Sequence, residues 1–329
     1  MQRRITQRDV ARLAKVSQAA VSRVMAKKGY VADEVRSRIE EAAFALGYRP
    51  DPVARSLITG RSNIVAIVVG NIVNPFFPIV LDALTEALSN SGREVLLFNV
   101  TKGQNLDVVI RDVLNYKVSG IILTTVSLSS RVSELCDSAG VPVVLFHRYS
   151  ASRGALAVAC DSRLGGMDAA RLLLTAHCKR LAYIGGNEDS SPNRDRRDGF
   201  MAGLAQAGVK PVSVRDGAFT YDWGRQATLS LFNDGESVDG IFCGDDAIAC
   251  GAIDALRHEL ELRVPQDVSV VGFDDVPQAS WGAYRLTTIR QPIERMIERT
   301  LALLESPQAD DRRVYFIPGD VIVRSTVAC

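Results

Sequence analysis

Over the first sixty residues, apolar positions recur three and four apart. Thr6-Gln7-Arg8-Asp9 has the S/T-x-x-D/E form of a helix start, and Val10, Ala11, Leu13 and Ala14 follow it at helical spacing. Lys15-Val16 breaks that run. Ser17 then stands as an N-cap for a second helix, with Val21 and Val24 three apart on one face. Lys27-Lys28-Gly29-Tyr30 reads as a turn. A third helix spans Asp33 to Leu46, with Val35, Ile39, Ala42, Ala43 and Leu46 as its stripe and Gly47 as its stop. Two short helices with a tight turn, backed by a third, predict a helix-turn-helix.

The segment PDPVARSLITG (50–60) interrupts this pattern. Pro50 and Pro52 block continuation of the third helix, Pro52 can open a short new one over Val53–Leu57, and Gly60 closes it. From Asn63 onward the apolar residues gather into continuous runs: 64–69, 94–100, 120–125, 141–146, 181–186, 240–244 and 268–274. Amphipathic stretches such as Ile79–Ser89, Leu164–Thr175 and Asn193–Ala207 lie between them. Unbroken apolar strands alternating with helices predict parallel sheets covered on both faces. About 265 residues is long for one doubly wound sheet, so two lobes are expected. The openings at 64 and 181 look like two starts of the same kind of unit. The predicted domains are therefore a head over 1–49, a linker with a hinge helix over 50–61, and an α/β body over 62–329.

Composition alters this picture in one respect. The whole chain carries a net charge of only +1. Residues 1–62, however, hold 13 Lys+Arg against 6 Asp+Glu, and the remainder holds 26 against 32. A basic head on an acidic body suggests that the head meets a polyanion. The six cysteines show neither C-x-x-C nor zinc-finger spacing, which fits free thiols in a reducing cytoplasm. MQRRITQRDV does not read as a signal peptide, and the apolar runs are too short to span a bilayer. No phosphate loop, G-x-G-x-x-G after a strand or G-x-S-x-G elbow is present, and His147, His177 and His258 lack metal-ligand spacing. No cofactor, metal or catalytic site is expected.

The stretch SQAAVSRVM (17–25) carries the head's chemistry. With Val21 and Val24 facing inward, Gln18, Ala19, Ser22 and Arg23 point outward at the start of the second helix, the part that enters the major groove in such motifs. Arginine can bond both O6 and N7 of guanine, whereas alanine can meet only a thymine methyl. An ordinary surface helix is the alternative for this segment alone.

DVARLAKVSQAAVSRVM and GYVADEVRSRIEEAAFALGYRPDPVARSL together resemble the LacI/GalR family of bacterial transcription regulators. The resemblance continues through NPFF (74–77), R-x-x-G-F (196–200), CGDDAIACGA (243–252), VPQDVSVVGFDD (264–275) and LTTIRQP (286–292). It implies a helix-turn-helix head, a hinge helix, and a two-lobed body of the periplasmic-binding-protein type. DNA-contact candidates are Thr6, Ser17, Gln18, Ala19, Ser22, Arg23, Tyr30 and Arg36, with Ala54, Arg55 and Leu57 of the hinge. In the family the hinge leucine wedges into a central base step, which bends the duplex at a cost in unstacking.

Effector candidates in the cleft are Phe76, Phe77, His147, Arg148, Arg196, Phe219, Asp245 and Asp274, with Asp245 expected on the rim and Trp281 as a looser guess. Phe76 and Phe77 could instead be core, and Arg196–Asp274 a structural ion pair. The chain departs from the family at Ala20, Ala26, Ala32 and Asp245, with Asp33 expected to replace Ala32 as the cap of the third helix. Arg148, Arg194, Arg196 and Arg197 near the cleft suggest a sugar or sugar acid. The resemblance implies a homodimeric repressor on a near-palindromic operator, with no membrane partner. After LTTIRQP one helix and one strand are expected, with no tetramerising heptad tail. A solute-binding protein would instead carry an export signal and lack the basic head, and an α/β enzyme would show a phosphate loop or an acid/base constellation.

Overall fold

The computed structural model describes residues 5–25, 29–48, 62–101, 103–124, 130–150, 156–235, 237–307 and 313–328. It divides into two compact units, one up to Ser62 and one from Asn63. The hinge candidates Ala54, Arg55 and Leu57 lie outside the described residues, as does Ala26.

The first unit contains α1 (Gln7–Ala14), α2 (Gln18–Met25) and α3 (Asp33–Ala45). The Asp9 carboxylate accepts bonds from the Thr6 backbone N–H at 3.0 Å and its hydroxyl at 2.7 Å, fixing the start of α1. Lys15 takes the left-handed conformation, φ 54°, and so makes the tight turn before α2. Arg38 of α3 donates to the Ala14 and Lys15 carbonyls at that turn. Val10, Val21 and Ile39 are fully buried and join the three helices. Ala32 stands at the N-cap of α3 with no side-chain bond, and Asp33 sits in the first turn instead of capping it.

The second unit has two lobes. Lobe 1 holds β1 (Ile64–Gly70), α4 (Phe76–Asn90), β2 (Glu94–Val100), α5 (Leu106–Asn115), β3 (Gly120–Leu123), α6 (Ser130–Ala139), β4 (Val143–Phe146) and β5 (Leu156–Cys160). Lobe 2 holds α7 (Ser162–Thr175), β6 (Leu181–Ile184), α8 (Ser191–Gln206), β7 (Ser213–Arg215), α9 (Tyr221–Asn233), β8 (Gly240–Cys243), α10 (Asp246–His258), β9 (Ser269–Asp274), α11 (Pro277–Ser280) and β10 (Thr287–Arg290). The chain then returns to lobe 1 as α12 (Ile293–Glu305) and β11 (Val314–Ile317), and ends in lobe 2 as β12 (Asp320–Ile322).

The sheets run β11-β5-β4-β3-β1-β2 and β12-β10-β9-β8-β6-β7. Placed side by side, β1 corresponds to β6, β4 to β9 and β5 to β10, so the two lobes repeat one topology. Among the described residues every pairing is parallel except β10 with β12, so the expected parallel sheets carry one antiparallel edge strand. The expected single final strand is two short ones, because β11 and β12 serve different lobes. The chain thus crosses between lobes near Asp161, Gln291 and Pro318.

Alternation within β1 shows why its apolar run is unbroken. Val65, Ile67 and Val69 face one core, while Ala66 and Val68 face another. The strands and the helix starts after them, capped at Asp161, Thr220 and Asp245 by side chains accepting from Leu164, Trp223 and Ile248, set out the cleft. Among the described residues no helix is long and apolar enough to cross a membrane.

Candidate DNA-contact face and inter-lobe cleft

The head separates its faces as the spacing predicts. Val21 is buried and Val24 partly so, while Gln18, Ala19, Ser22 and Arg23 are exposed. Ala20 is partly buried against the small core. The Ser17 hydroxyl accepts the Ala20 N–H at 3.2 Å, which makes it the cap of α2. Among the described residues Arg23 reaches only the Ala19 carbonyl one turn back, at 3.4 Å, and its side chain is exposed. Thr6 and Arg36 are exposed, and Tyr30 is 88% exposed.

The cleft is built from the carboxyl ends of the corresponding strands β4 and β9. His147 follows β4 with φ 73°, and Asp274 ends β9 with φ 118°. Positive φ at two non-glycine residues is backbone strain held in place by the surroundings. Gln291, at a lobe crossing, ties the two together. Its Nε2 donates to Asp274 Oδ1 at 2.6 Å, and its Oε1 lies 3.1 Å from His147 Nδ1. Because that oxygen can only accept, Nδ1 carries the hydrogen and Nε2 is left as an acceptor. Burial first, then the charges of Arg196 and Arg148, hold the His147 pKa well below its ordinary value, so the ring is neutral.

Arg196 reaches the same carboxylate from α8, at 3.2 Å from Asp274 Oδ1. It also donates to the Gly244 carbonyl, and it stacks on Phe273 at 3.7 Å from the ring centroid. Its helix is placed by glycines. A Cβ on Gly166 of α7 would come within 2.2 Å of the Arg196 carbonyl, and one on Gly199 of α8 within 2.0 Å of the Arg163 carbonyl. The two helices are therefore in backbone contact, and any side chain there would push Arg196 away from the cleft. Burial raises the Asp274 pKa to about 7, against the lowering effect of Arg196 and with a raising effect from Asp245.

Asp245 is fully enclosed rather than on the rim. It caps α10 through the Ile248 N–H at 2.8 Å, and its other oxygen accepts from Asn74 of lobe 1 at 2.7 Å. Burial raises its pKa, while those donors oppose the shift. Asn74 also donates to the Phe219 carbonyl at 3.3 Å. Next to this contact is a cavity of about 400 Å³ lined by Asn74, Phe219, Asp246, Trp281 and Tyr284 among others. Across the cleft, Tyr149 of lobe 1 bonds lobe 2 twice, through its N–H to Ser191 Oγ at 3.1 Å and its hydroxyl to Asp195 at 2.8 Å.

Phe76 and Phe77 are buried in the lobe 1 core, with the Phe76 ring 4.7 Å from that of His147. They form the floor behind the histidine. Arg148 is partly buried beside His147. The structure thus joins Arg196 to Asp274 and, through Gln291, to His147, places Asp245 and Phe219 at the Asn74 contact, and sets Arg148 next in the chain to His147. Gln291, Asn74 and Tyr149 were not singled out from the sequence. Gln291 and Asn74 lie within the LTTIRQP and NPFF segments that carry the resemblance, but single polar residues there gave no sign of bridging two lobes.

Among the described residues no cluster of metal-ligating side chains occurs. What the cleft offers is acceptors for hydroxyl groups, on Asp274 and His147 Nε2, with the Arg196 guanidinium beside them.

Comparison with known proteins agrees with both units. The family described as bacterial regulatory proteins, lacI family, matches residues 6–51. The family described as periplasmic binding proteins and sugar binding domain of LacI family matches residues 62–322. The ribose operon repressor of Halalkalibacterium halodurans is 35% identical over 98% of this chain and 96% of its own length. The HTH-type transcriptional regulator GntR of Pseudomonas aeruginosa is 31% identical over 94% of this chain and 92% of its own. A lac repressor dimer bound to operator and the anti-inducer ONPF superposes with a TM-score of 0.87 at 25% identity, covering 99% of this chain and all of that one. With a helix-turn-helix that exposes its arginine face and a two-lobed body of the sugar-binding type, the chain belongs to the LacI family of DNA-binding transcriptional repressors and is not an enzyme.

Proposed function

We infer that this repressor binds a near-palindromic operator as a homodimer in the cytoplasm, and that a sugar or sugar derivative bound between the lobes sets its operator affinity. Two heads related by dimer symmetry demand two half-sites. Arg23, helped by Gln18 and Ser22, reads bases, and Thr6, Ser17, Ala19, Tyr30 and Arg36 position the head. Ala54, Arg55 and Leu57 act at the operator centre. His147, Arg148, Arg196, Phe219, Asp245 and Asp274 form the effector site, with Phe76 and Phe77 behind it.

One observation supports this most: the hydrogen-bonded chain His147–Gln291–Asp274–Arg196, which runs from lobe 1 through a crossing strand into lobe 2. A ligand that bonds Asp274 or His147 acts on both lobes at once. It can shift the balance between two lobe arrangements only by its difference in affinity for them. The coupling is reciprocal, so operator DNA changes effector affinity by the same factor.

The test is a gel shift of the full-length protein on the DNA flanking its own gene, run across salt concentrations and with a panel of sugars and sugar acids. Binding should fall steeply with salt, because phosphate contacts release counterions. Asp274→Ala should still bind DNA yet no longer respond to the active compound. A normal response from that variant overturns the cleft assignment.

A further inference from the structure

Four arginines lie near the cleft, and three of them are already engaged. Arg194 donates to the Asp189 carbonyl at 2.9 Å. Arg196 is held by Asp274, the Gly244 carbonyl and the Phe273 ring. Arg197 pairs with Asp216 at 2.6 Å. Arg148 differs from all three in that no described residue accepts a hydrogen bond from it or pairs with it; its Nε, like that of Arg196, is buried without a partner. Burial alone pulls its pKa down to about 10, and no carboxylate offsets that effect.

Asp195, the carboxylate that the adjacent Tyr149 reaches, is taken by that hydroxyl. A partly buried guanidinium without a counter-charge is costly, and such a group is retained where a ligand supplies the anion. The surroundings favour the same charge. Arg148 precedes Tyr149, whose N–H bonds Ser191 Oγ in the first turn of α8, and Ser190 just before that helix also has a buried hydroxyl with no partner. The amino end of a 16-residue helix favours negative charge, so three features of one place ask for an anion. Arg196, by contrast, already has Asp274 bonded to it and the charge of Asp245 close by.

Building on the effector reading above, we propose that the effector is a small anionic carbohydrate, with its carboxylate or phosphate bonded to Arg148 and its hydroxyls to Asp274 and His147. Neutral sugars leave the Arg148 charge unmet, and diacids place a second charge against Asp274.

Isothermal titration calorimetry on the full-length protein with D-gluconate, D-ribose 5-phosphate, D-ribose and D-glucose tests this. At least one of the two anions should bind about tenfold or more tightly than both neutral sugars, the worth of one charge-assisted bond. Arg148→Gln should abolish that preference, and Arg148→Lys should restore part of it. Gluconate as the better anion assigns a carboxylate, and ribose 5-phosphate a phosphate. Equal or tighter binding of a neutral sugar, no binding of either anion, or an undiminished preference in Arg148→Gln overturns the proposal. Failure of the underlying cleft reading looks different: every bound probe would then bind Asp274→Asn with unchanged affinity.

Discussion

Arg23 in the head and Arg196 in the body are the same residue type put to opposite uses. Arg23 is exposed, and among the described residues its one internal bond is one turn back along its own helix. Arg196 is 1% exposed and is held by a carboxylate, a carbonyl and an aromatic ring. The head keeps its proposed recognition groups out of its own fold and leaves stability to three short helices around Val10, Val21 and Ile39. The body builds its proposed effector groups into the fold, so on that reading effector chemistry and lobe stability share the same bonds. Removing the head's arginine should therefore cost binding, and removing the body's should cost folding.

The largest effect should come from Arg196→Met. It leaves Asp274 and the Gly244 carbonyl buried without their partner, a loss of about 3–5 kcal/mol in urea unfolding of the body. The pair Arg196→Met with Asp274→Leu should recover most of it, since no unpaired charge remains. If the single variant unfolds at the wild-type midpoint, the buried network is not what holds the lobes.

A pH dependence should come next. Burial raises the pKa of Asp274 in the folded chain to about 7 from its ordinary value of 3.8, so the native state holds a proton that the unfolded chain releases between those values. Its contribution to stability is full below about pH 4 and is lost as pH rises toward 7, by at most about 1.4 kcal/mol per pH unit for one proton. Asp245 and Asp246 are shifted the same way by burial. Thermal unfolding of Asp274→Asn should show a flatter decline over that window than wild type. An identical decline in both would mean that Asp274 is not the titrating group.

Arg23→Ala should leave the unfolding midpoint nearly unchanged, as exposed substitutions generally do within about 0.5 kcal/mol. It should weaken specific operator binding by about 1–3 kcal/mol for each half-site. A normal footprint from this variant would remove Arg23 from the reading face and erase the contrast with Arg196.

This contrast also governs what could be read beforehand. In the head, burial follows local periodicity: Val21 three residues before Val24 fixes which way Gln18, Ser22 and Arg23 point. Most of the strands were legible for the same reason, since runs such as IVAIVV need no tertiary information. β5, β7 and β10 were not marked as strands, because LAVAC lies in a loop-like surround, SVR is short, and TTIR is polar for a buried strand. The cleft was legible only by resemblance. Its bonds join residues as far apart as Asn74 and Asp245, and Gln291 matters through two partners that no local pattern connects to it. Asp245 looked like a rim residue because it stands at a strand end, yet capping α10 and bonding Asn74 draws it inside.

Ser17 supplies the smallest and sharpest test, because it belongs to both sides of the comparison. Its hydroxyl caps α2 by accepting the Ala20 N–H, while its position at the start of the recognition helix makes it a DNA-contact candidate. Ser17→Ala removes both functions and should cost about 1 kcal/mol of head stability through the lost cap. Ser17→Asp separates them. Aspartate caps as well as serine and is favoured at a helix amino end, so the head should melt at or above the wild-type temperature. The same carboxylate would face DNA phosphate and should weaken operator binding in a gel shift. If Ser17→Asp keeps both stability and DNA affinity, Ser17 is a cap alone and the contact face begins at Gln18.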